Sequence, residues 1–239
     1  MSRIFVTGDT HGDEDFHKLG TRRFPEQKTL TKNDFVIVAG DMGVLWFSFT
    51  RFSPDKIDPT DKWLMDWYDA KPFTTLFVDG NHENHKALAR YPVEEWNGGK
   101  IHRISDSVIH LMRGQVYTID GKTFFTMGGA TSVDKIRRVE NVSWWEEEMP
   151  SREELEEGII NLDKHDMKVD YVITHCCGTS LIPKLRTMHP DADTLTSFFD
   201  HLEFDFALDF KHWYFGHHHF DKKLDDKHTC LFNKIIEIT

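Results

Sequence analysis

The sequence lacks the features that define several large classes of protein. No segment approaches the roughly 18 consecutive apolar residues of a membrane-spanning helix, and no long apolar stretch follows a basic start at the N-terminus. It contains only 3 cysteines, Cys176, Cys177 and Cys230, and no Cys-x-x-Cys pair. This usage disfavours both a disulfide framework and a thiolate zinc site. We therefore expect a cytoplasmic chain with free thiols and no membrane anchor.

Positive charge is also scarce. The chain has 29 Lys and Arg against 40 Asp and Glu, which gives a formal net charge of −11 at pH 7. Nonspecific nucleic-acid binding depends on basic side chains that neutralise phosphates, so we expect no general DNA or RNA binding. A nuclease that processes DNA ends would be expected to carry a basic or aromatic stripe and further domains, and the sequence shows neither.

The apolar content, in contrast, is sufficient for a large core. Apolar residues make up 39% of the 239 residues and aromatic residues 13%. We find no internal repeat, no low-complexity tract and no linker-like segment. The sequence therefore predicts a single domain over residues 1–239 that folds on its own.

Short apolar runs predict buried strands, and each run ends in a polar element of the type Gly-Asp, Gly-Asn, Thr-His or Gly-His. In open sheets with parallel strands, ligands bind beyond the carboxyl ends of the strands. We therefore expect the polar elements to meet on one rim. The runs are Ile4 to Thr7, Phe35 to Ala39, Leu76 to Val78, Tyr171 to Thr174 and Trp213 to Phe215.

Helical spacing of apolar residues between these runs predicts helices around residues 63–68, 155–162 and 195–202. Ser151 and Glu154 predict a capping box at the start of the second helix. The glutamates at 146–148 are interpreted as the solvated start of that helix rather than as a cation site. Asp120-Gly121, between two β-like runs, predicts a hairpin. Helices together with hairpins indicate a mixed α/β sandwich.

Five short elements carry the residue types that bind metals. Taken singly, each has an ordinary explanation, such as a turn aspartate, a helix cap or a hydrogen-bonded histidine. Taken together, at the ends of predicted strands, their Asp, His and Asn side chains suit hard and borderline divalent ions. The elements are Gly8-Asp9-Thr10-His11-Gly12, Gly40-Asp41-Met42-Gly43, Gly80-Asn81-His82-Glu83, Thr174-His175 and Gly216-His217-His218-His219.

In this order and combination, the five elements resemble the signature of the calcineurin-like metallophosphoesterase superfamily. The resemblance covers nearly the whole chain and implies a four-layer α/β/β/α sandwich of two mixed sheets flanked by helices. It also implies a two-metal site in which Asp41 bridges the ions and His82 faces the substrate as an acid or transition-state stabiliser. The implied ligands are Asp9, His11 and His219 for one ion, and Asn81, His175 and His217 for the other.

The resemblance implies a hydrolase of phosphate esters, either a phosphodiesterase or a small-substrate phosphatase. Two divalent ions about 3.5 to 4 Å apart can clamp the attacking and leaving oxygens of an in-line displacement. A hydroxide between the metals is then the natural nucleophile. Apart from the implied ligands, His82 is the only titratable residue that the motifs place at the site. A leaving group that departs as a neutral alcohol needs a proton, and His82 can donate it. A histidine-rich mixed site favours Mn²⁺, Fe or Zn²⁺ over Mg²⁺, with Mn²⁺ our first choice.

Departures from the superfamily pattern bear on the substrate. Its serine/threonine phosphatases usually carry a second Asp and an Arg shortly after the Gly-Asp element, and an Arg straight after Gly-Asn-His-Glu. Here those places hold Met42-Gly43-Val44-Leu45 and Asn84. The missing arginines weaken the alternative of a protein serine/threonine phosphatase and leave the phosphate without its usual grip. The arginines that can substitute are Arg51, Arg137 and Arg138.

A second alternative is a non-catalytic, protein-binding scaffold of the same fold. Scaffolds tend to lose metal ligands or the histidine after Asn, whereas this chain keeps every position, including His82. We therefore favour catalysis. We expect Trp144 and Trp145 to pack rather than to stack on a substrate, and His85 and His218 to support the ligands rather than to bind metal.

Overall fold

The computed structural model describes residues 1–185 and 192–238. The strands are β1 Ile4–Thr7, β2 Phe35–Ala39, β3 Thr74–Val78, β4 Val93–Trp96, β5 Gly99–Ser105, β6 Val108–Leu111, β7 Gln115–Ile119, β8 Lys122–Met127, β9 Lys168–Thr174, β10 Asp209–Phe215, β11 Lys222–Lys223, β12 His228–Cys230 and β13 Ile235–Ile238. The α-helices are α1 Pro59–Asp69, α2 His85–Leu88, α3 Arg152–Asp163, α4 Ile182–Leu185 and α5 Thr194–Asp200, the last continued by a π-helical turn, His201–Asp205.

These strands form two sheets, and both are mixed. The first has 7 strands in the order β13-β1-β2-β3-β6-β5-β4, and the second has 6 in the order β11-β12-β10-β9-β8-β7. β1, β2, β3 and β6 run parallel, with antiparallel strands at both edges of their sheet. β8, β9, β10 and β12 run parallel in the second sheet. In each sheet, the carboxyl ends of the parallel strands therefore lie side by side at one edge.

Three apolar cores separate four layers, as the alternation of side chains along the strands requires. In β2, Val36 and Val38 pack in the outer core with α1. Ile37 and Ala39 point the opposite way, into the inner core that both sheets share. A third core packs the outer face of the second sheet against α3 and α5. This arrangement confirms the predicted α/β/β/α sandwich.

Most of the predicted elements are confirmed. The capping box of α3 is present, with the Glu154 N–H donating to Ser151 Oγ and the Ser151 N–H donating to the Glu154 carboxylate. The hairpin of β7 and β8 turns at Asp120 and Gly121, with φ of +50° and +78°, as a type I′ turn requires. Within the described residues, no helix has the length and apolar character needed to cross a membrane.

Two features differ from the sequence prediction. The antiparallel strands β4 to β6 extend the first sheet through residues 93–111, for which we predicted no element. The interpretation of residues 146–148 as a solvated helix start is wrong for Glu148, which is only 2% exposed. These residues form a separate 3₁₀ turn, Glu146–Glu148, and the Glu148 carboxylate accepts hydrogen bonds from Ser132 N–H and Oγ–H.

Candidate metal centre and its cleft

All eight residues predicted to form the site lie just beyond the carboxyl ends of central strands. Those following β1, β2 and β3 come from the first sheet, and those following β9 and β10 come from the second. Two groups of side chains bring their ligand atoms within 4.8 Å of one another. One group contains Asp9, His11 and His219, and the other contains Asp9, Asp41 and His175.

The first group is organised around Asp9, which is fully buried. Its carboxylate accepts the His217 backbone N–H at 3.1 Å and lies 3.2 Å from His219 Nε2. His11 Nδ1 lies 2.8 Å from the Asp15 carboxylate, which leaves Nε2 facing Asp41 at 3.4 Å. A carboxylate partner of this kind fixes the orientation of a metal-binding imidazole.

The Asp41 carboxylate lies between His11 of the first group and His175 of the second. One of its oxygens is 3.4 Å from His11 Nε2, and the other is 3.2 Å from His175 Nε2. His175 is buried, and its Nδ1 lies 2.9 Å from the Ala39 carbonyl. A carbonyl only accepts hydrogen bonds, so Nδ1 carries the proton and Nε2 is the nitrogen that could bind a metal ion. Asp41 therefore lies between two imidazoles, which is the position that a carboxylate bridging two metal ions would need.

The amide of Asn81 is oriented by a short chain of hydrogen bonds. Its Nδ2 donates to Ser132 Oγ at 3.1 Å, and Ser132 Oγ donates to Glu148 at 2.5 Å. Because its amino group is engaged, the amide oxygen faces the centre and lies 3.1 Å from His175 Nε2. Sequence reasoning missed both Ser132 and Glu148.

Four predicted ligands adopt the left-handed backbone conformation, with φ of +44°, +47°, +65° and +55°. For residues other than glycine this conformation costs roughly 1–2 kcal/mol each. Strain of this kind persists where the surrounding fold enforces it, and it is concentrated at functional sites. The four residues are His11, Asp41, His217 and His219.

Glycines within the elements allow the strand ends to approach the carboxylates. A Cβ at Gly216 would lie 2.0 Å from Asp9 Oδ1, and a Cβ at Gly80 would lie 2.1 Å from Asp41 Oδ1. Real side chains do not tolerate such contacts with buried groups. Gly216, which precedes His217, and Gly80, which precedes Asn81, are therefore required by the close packing of the centre itself.

Lys18 is a buried cation behind Asp9 that sequence reasoning missed. Its ammonium donates hydrogen bonds to the main-chain carbonyls of Gly8, Asp9 and Phe232. Burial lowers the pKa of Lys18 to about 8. The side chain joins the first strand end to the C-terminal segment and fixes the backbone that carries Asp9. No pattern around residue 18 distinguishes it from a surface lysine.

The charges of the centre reinforce one another. Burial alone would raise the pKa of Asp41, but His175 and other neighbouring histidines hold it well below its usual range. Burial would likewise lower the pKa of His175, yet the nearby carboxylates raise it to about 9. The carboxylates thus attract positive charge into a buried site. Together with the imidazole nitrogens and the amide oxygen beside them, these carboxylates have the donor chemistry of a site for borderline divalent metal ions.

A cleft of about 620 Å³ opens in front of the centre. His11, His82 and His219 form its floor, and Trp46 and Phe47 lie on one wall. The His82 backbone N–H donates to Asp41 at 2.7 Å, which fixes this residue against the bridging carboxylate. Burial lowers the pKa of His82.

One of the three predicted arginines lines this cleft. Arg138 donates from Nε to Asp134 and from Nη1 to the Ser143 carbonyl, and its Nη2 lies 3.4 Å from His82 Nε2. Arg137 is exposed, and Arg51 is exposed over the ring of Phe52. Among the described residues that line the cleft, neither Arg137 nor Arg51 is present.

A buried ion pair joins the two sheets behind Asn81. Asp79 accepts hydrogen bonds from Arg113 Nε at 2.8 Å and Nη2 at 2.5 Å. Arg113 Nη2 also donates to the Glu147 carbonyl. Burial opposes the charge of Asp79, but Arg113 lowers the pKa of this carboxyl. The pair therefore anchors the end of β3 to the loop that carries Ser132 and Arg138.

The remaining residues singled out by sequence fill supporting positions. His218 is buried with Nε2 3.6 Å from Cys177 Sγ, and His85 is buried with Nδ1 3.8 Å from Asp79. Burial raises the pKa of Cys176 and Cys177 well above the ordinary value, unlike that of a reactive thiol. Trp145 is buried and packs edge-on against Trp46.

Comparisons with known proteins were made for the whole chain. A sequence profile of the family described as calcineurin-like phosphoesterase matches residues 2–221. Among solved structures, the chain is similar to the phosphopantetheinyl hydrolase PptH from Mycobacterium tuberculosis. The identity is 16% and the TM-score 0.42, over 92% of this chain and 84% of that one. A comparison with curated proteins finds no match.

Proposed function

The chain belongs to the calcineurin-like phosphoesterase family, and on that premise we propose that it hydrolyses phosphate esters at a centre of two divalent ions. The observation that carries the proposal is the Asp41 carboxylate, whose two oxygens lie 3.4 Å from His11 Nε2 and 3.2 Å from His175 Nε2. A carboxylate placed between one proposed histidine ligand of each ion is what a pair of adjacent ions requires. We propose Mn²⁺ first, with Fe or Zn²⁺ as the alternatives.

The proposed ligands come from both sheets and would divide between the two ions. When bound, the ions supply a Lewis-acid clamp on the phosphoryl oxygens and activate the water that attacks phosphorus. Asp41 is the proposed bridge. Asp9, His11 and His219 would hold one ion, and Asn81, His175 and His217 would hold the other.

His82 and Arg138 are the proposed substrate-binding residues of the cleft. Arg138 is held by Asp134 and Ser143, so its guanidinium is ordered before a phosphoryl oxygen binds. His82 lies beside it and would donate a proton to the oxygen of the leaving group. A phosphoryl dianion in the cleft would favour the protonated imidazole, because its negative charge lies close to the ring.

The cleft supports a small-substrate phosphatase or phosphodiesterase rather than a protein serine/threonine phosphatase. Where those phosphatases carry an acid and an arginine after the Gly-Asp element, Met42, Val44 and Leu45 are buried in the core. Where they carry the other arginine, Asn84 donates to the Ser48 carbonyl at 2.7 Å. Both positions serve packing here, and Arg138 supplies the cation from the opposite sheet's loop.

We also propose one domain and a cytoplasmic location. The single domain is supported by the inner core, which contains residues of both sheets, such as Val6 and Ile173. The location is supported by the free state of all three cysteines, which suits a reducing compartment.

The direct test is hydrolysis of nitrophenyl phosphate and bis-nitrophenyl phosphate by the Mn²⁺-loaded chain, beside Asp41→Asn. We expect metal-dependent turnover in the wild type that falls to the buffer rate in Asp41→Asn, and the preferred ester identifies phosphatase or phosphodiesterase. A fully metallated wild type that hydrolyses neither ester would contradict the proposal and favour the scaffold alternative.

A further inference from the structure

We propose that the cleft holds a second subsite, next to the metal centre, in which a planar ring of the substrate stacks on Trp46. The substrate class is then a phosphoester with a single phosphoryl group and a nucleoside-sized organic part that carries hydrogen-bond donors. This inference rests on the proposed function, because it takes the metal centre as the place where the phosphoryl group binds.

The position of Trp46 is the first argument. Its ring lies 5.9 Å from the ring of His82, centroid to centroid, with an interplanar angle of 35°. His82 is the proposed proton donor to the leaving oxygen, so the organic part of the substrate extends from its vicinity. The indole is the aromatic surface that this part meets there.

The wall that carries Trp46 is rigid. Trp46 is supported edge-on by Trp145, with centroids 5.1 Å apart, and Trp145 is 1% exposed. The next residue, Phe47, donates its N–H to buried Asp61, as does the Ser48 hydroxyl. A surface ordered before binding loses little conformational entropy when a ring stacks on it.

The cleft is larger than a phosphoryl group alone needs. Its volume of about 620 Å³ lies in the range of roughly 300–1,000 Å³ typical of pockets for drug-sized ligands and cofactors. Phe47, with 45% of its surface exposed, extends the aromatic wall beyond Trp46. The space beside the centre therefore accommodates a ring together with the group that links it to phosphorus.

The charge of the rim selects the kind of ring. Asp13 and Glu14 line the cleft and are exposed, whereas Asp15 is engaged with His11. Two free carboxylates attract hydrogen-bond donors such as ring amino groups and repel further phosphates. Arg138 is the only arginine or lysine among the described residues that line the cleft. A single phosphoryl group thus fits better than a polyphosphate or a polynucleotide.

Adenosine is the organic part of a nucleoside phosphate without its phosphoryl group, so its binding tests the subsite independently of catalysis. By calorimetry, we expect the wild type and Trp46→Phe to bind adenosine and Trp46→Ala to bind it about 5- to 100-fold more weakly. Ribose should not bind. Trp63→Ala is the matched control, because Trp63 is 51% exposed on α1 and lies outside the cleft. Equal affinity in folded Trp46→Ala, or no adenosine binding by the wild type, would overturn the proposal.

Hydrolysis separates this inference from the proposed function. With Mn²⁺ bound, we expect adenosine monophosphate to be hydrolysed with a higher kcat/KM than glycerol phosphate or adenosine triphosphate. Trp46→Ala should remove the preference over glycerol phosphate. If nitrophenyl phosphate is turned over but the adenosine and glycerol esters are equivalent, the subsite is refuted and the phosphoesterase stands. If adenosine binds through Trp46 but no ester is hydrolysed, the subsite stands and the phosphoesterase is refuted.

Discussion

The candidate metal centre and the cleft in front of it are built in different ways. The centre is made of residues at strand ends, and its carboxylates Asp9 and Asp41 are 0% and 1% exposed. The cleft walls come from three loops, one with Asp13 and Glu14, one with Trp46 and Phe47, and one with Arg138. Their side chains reach solvent, and Phe47 is 45% exposed.

Because of this difference, the two regions should respond differently to substitution. At the centre, backbone hydrogen bonds and close glycine contacts fix the Asp9 and Asp41 carboxylates, so one change displaces several groups. In the cleft, the same scaffold presents side chains that can be replaced singly. We therefore expect substitutions at the centre to abolish metal binding, and substitutions in the cleft to alter rate and selectivity while the ions remain bound.

The largest effect is expected for Gly216→Ala. The added Cβ would lie 2.0 Å from Asp9 Oδ1 and 2.7 Å from the Ala39 carbonyl, so the carboxylate must move. We expect loss of bound Mn²⁺, measured by atomic absorption, and a lower Tm. Gly121→Ala is the control, because φ there is +78° but no atom lies within 4 Å of the added Cβ. Equal Mn²⁺ content in both variants would refute the proposed rigidity of the centre.

His82→Ala should leave the ions in place and remove the proton donor. We expect kcat for an alkyl phosphate to fall by about 10²- to 10⁴-fold. The fall should be smaller for nitrophenyl phosphate, because nitrophenolate leaves without a proton. Steady-state kinetics on both esters distinguish this role, since a purely structural defect would lower the two rates equally.

Arg138→Ala tests the role of the cleft arginine, with the adjacent Arg137 as the comparison. Loss of a charge-assisted hydrogen bond to the phosphoryl group should lower kcat/KM by about 10- to 100-fold. Arg137→Ala removes the same charge from an exposed position outside the cleft and should have no comparable effect. If the two variants lose equal activity, only the overall charge matters, and Arg138 does not grip the substrate.

Ser132→Ala is expected to have the smallest effect, and it concerns the boundary between the two regions. Without Ser132 Oγ the amide of Asn81 can rotate, so Mn²⁺ affinity should fall by about tenfold, as for other residues that orient metal ligands. Calorimetric titration with Mn²⁺ measures this change. Glu148→Gln keeps an acceptor for Ser132 and should weaken binding less. A larger loss in Glu148→Gln would contradict the proposed chain of hydrogen bonds.

The sequence predicted the regular parts of the fold because they depend on local patterns. Apolar runs such as residues 35–39 coincide with β2, and the paired cores follow from their alternation. The edge strand β4 was missed because it mixes exposed and charged residues with apolar ones, as Val93-Glu94-Glu95-Trp96 does. The inner strands β5 and β6 were missed because Lys100, His102, Arg103 and His110 interrupt their apolar residues. The family and the sandwich are confirmed, whereas the ligand roles stay predictions.

The supporting residues could not be predicted, because their partners are far away in the chain. Lys18 meets Phe232 across 214 positions, and Arg113 reaches Asp79 across 34. Arg137 and Arg138 are adjacent and have the same side chain, but only Arg138 faces the cleft. The short turn Lys135–Arg137 and the contact of Arg138 with Asp134 set this orientation. No spacing rule in the sequence contains this information.

The most direct test of the two-ion centre is a Mn²⁺ titration of the chain, with ion content measured by calorimetry and ion–ion coupling by electron paramagnetic resonance. The account predicts two ions per chain, magnetically coupled because they lie about 3.5 to 4 Å apart, and loss of that coupling in folded Asp41→Asn. A single bound ion, or a coupled pair unaffected by Asp41→Asn, would contradict it.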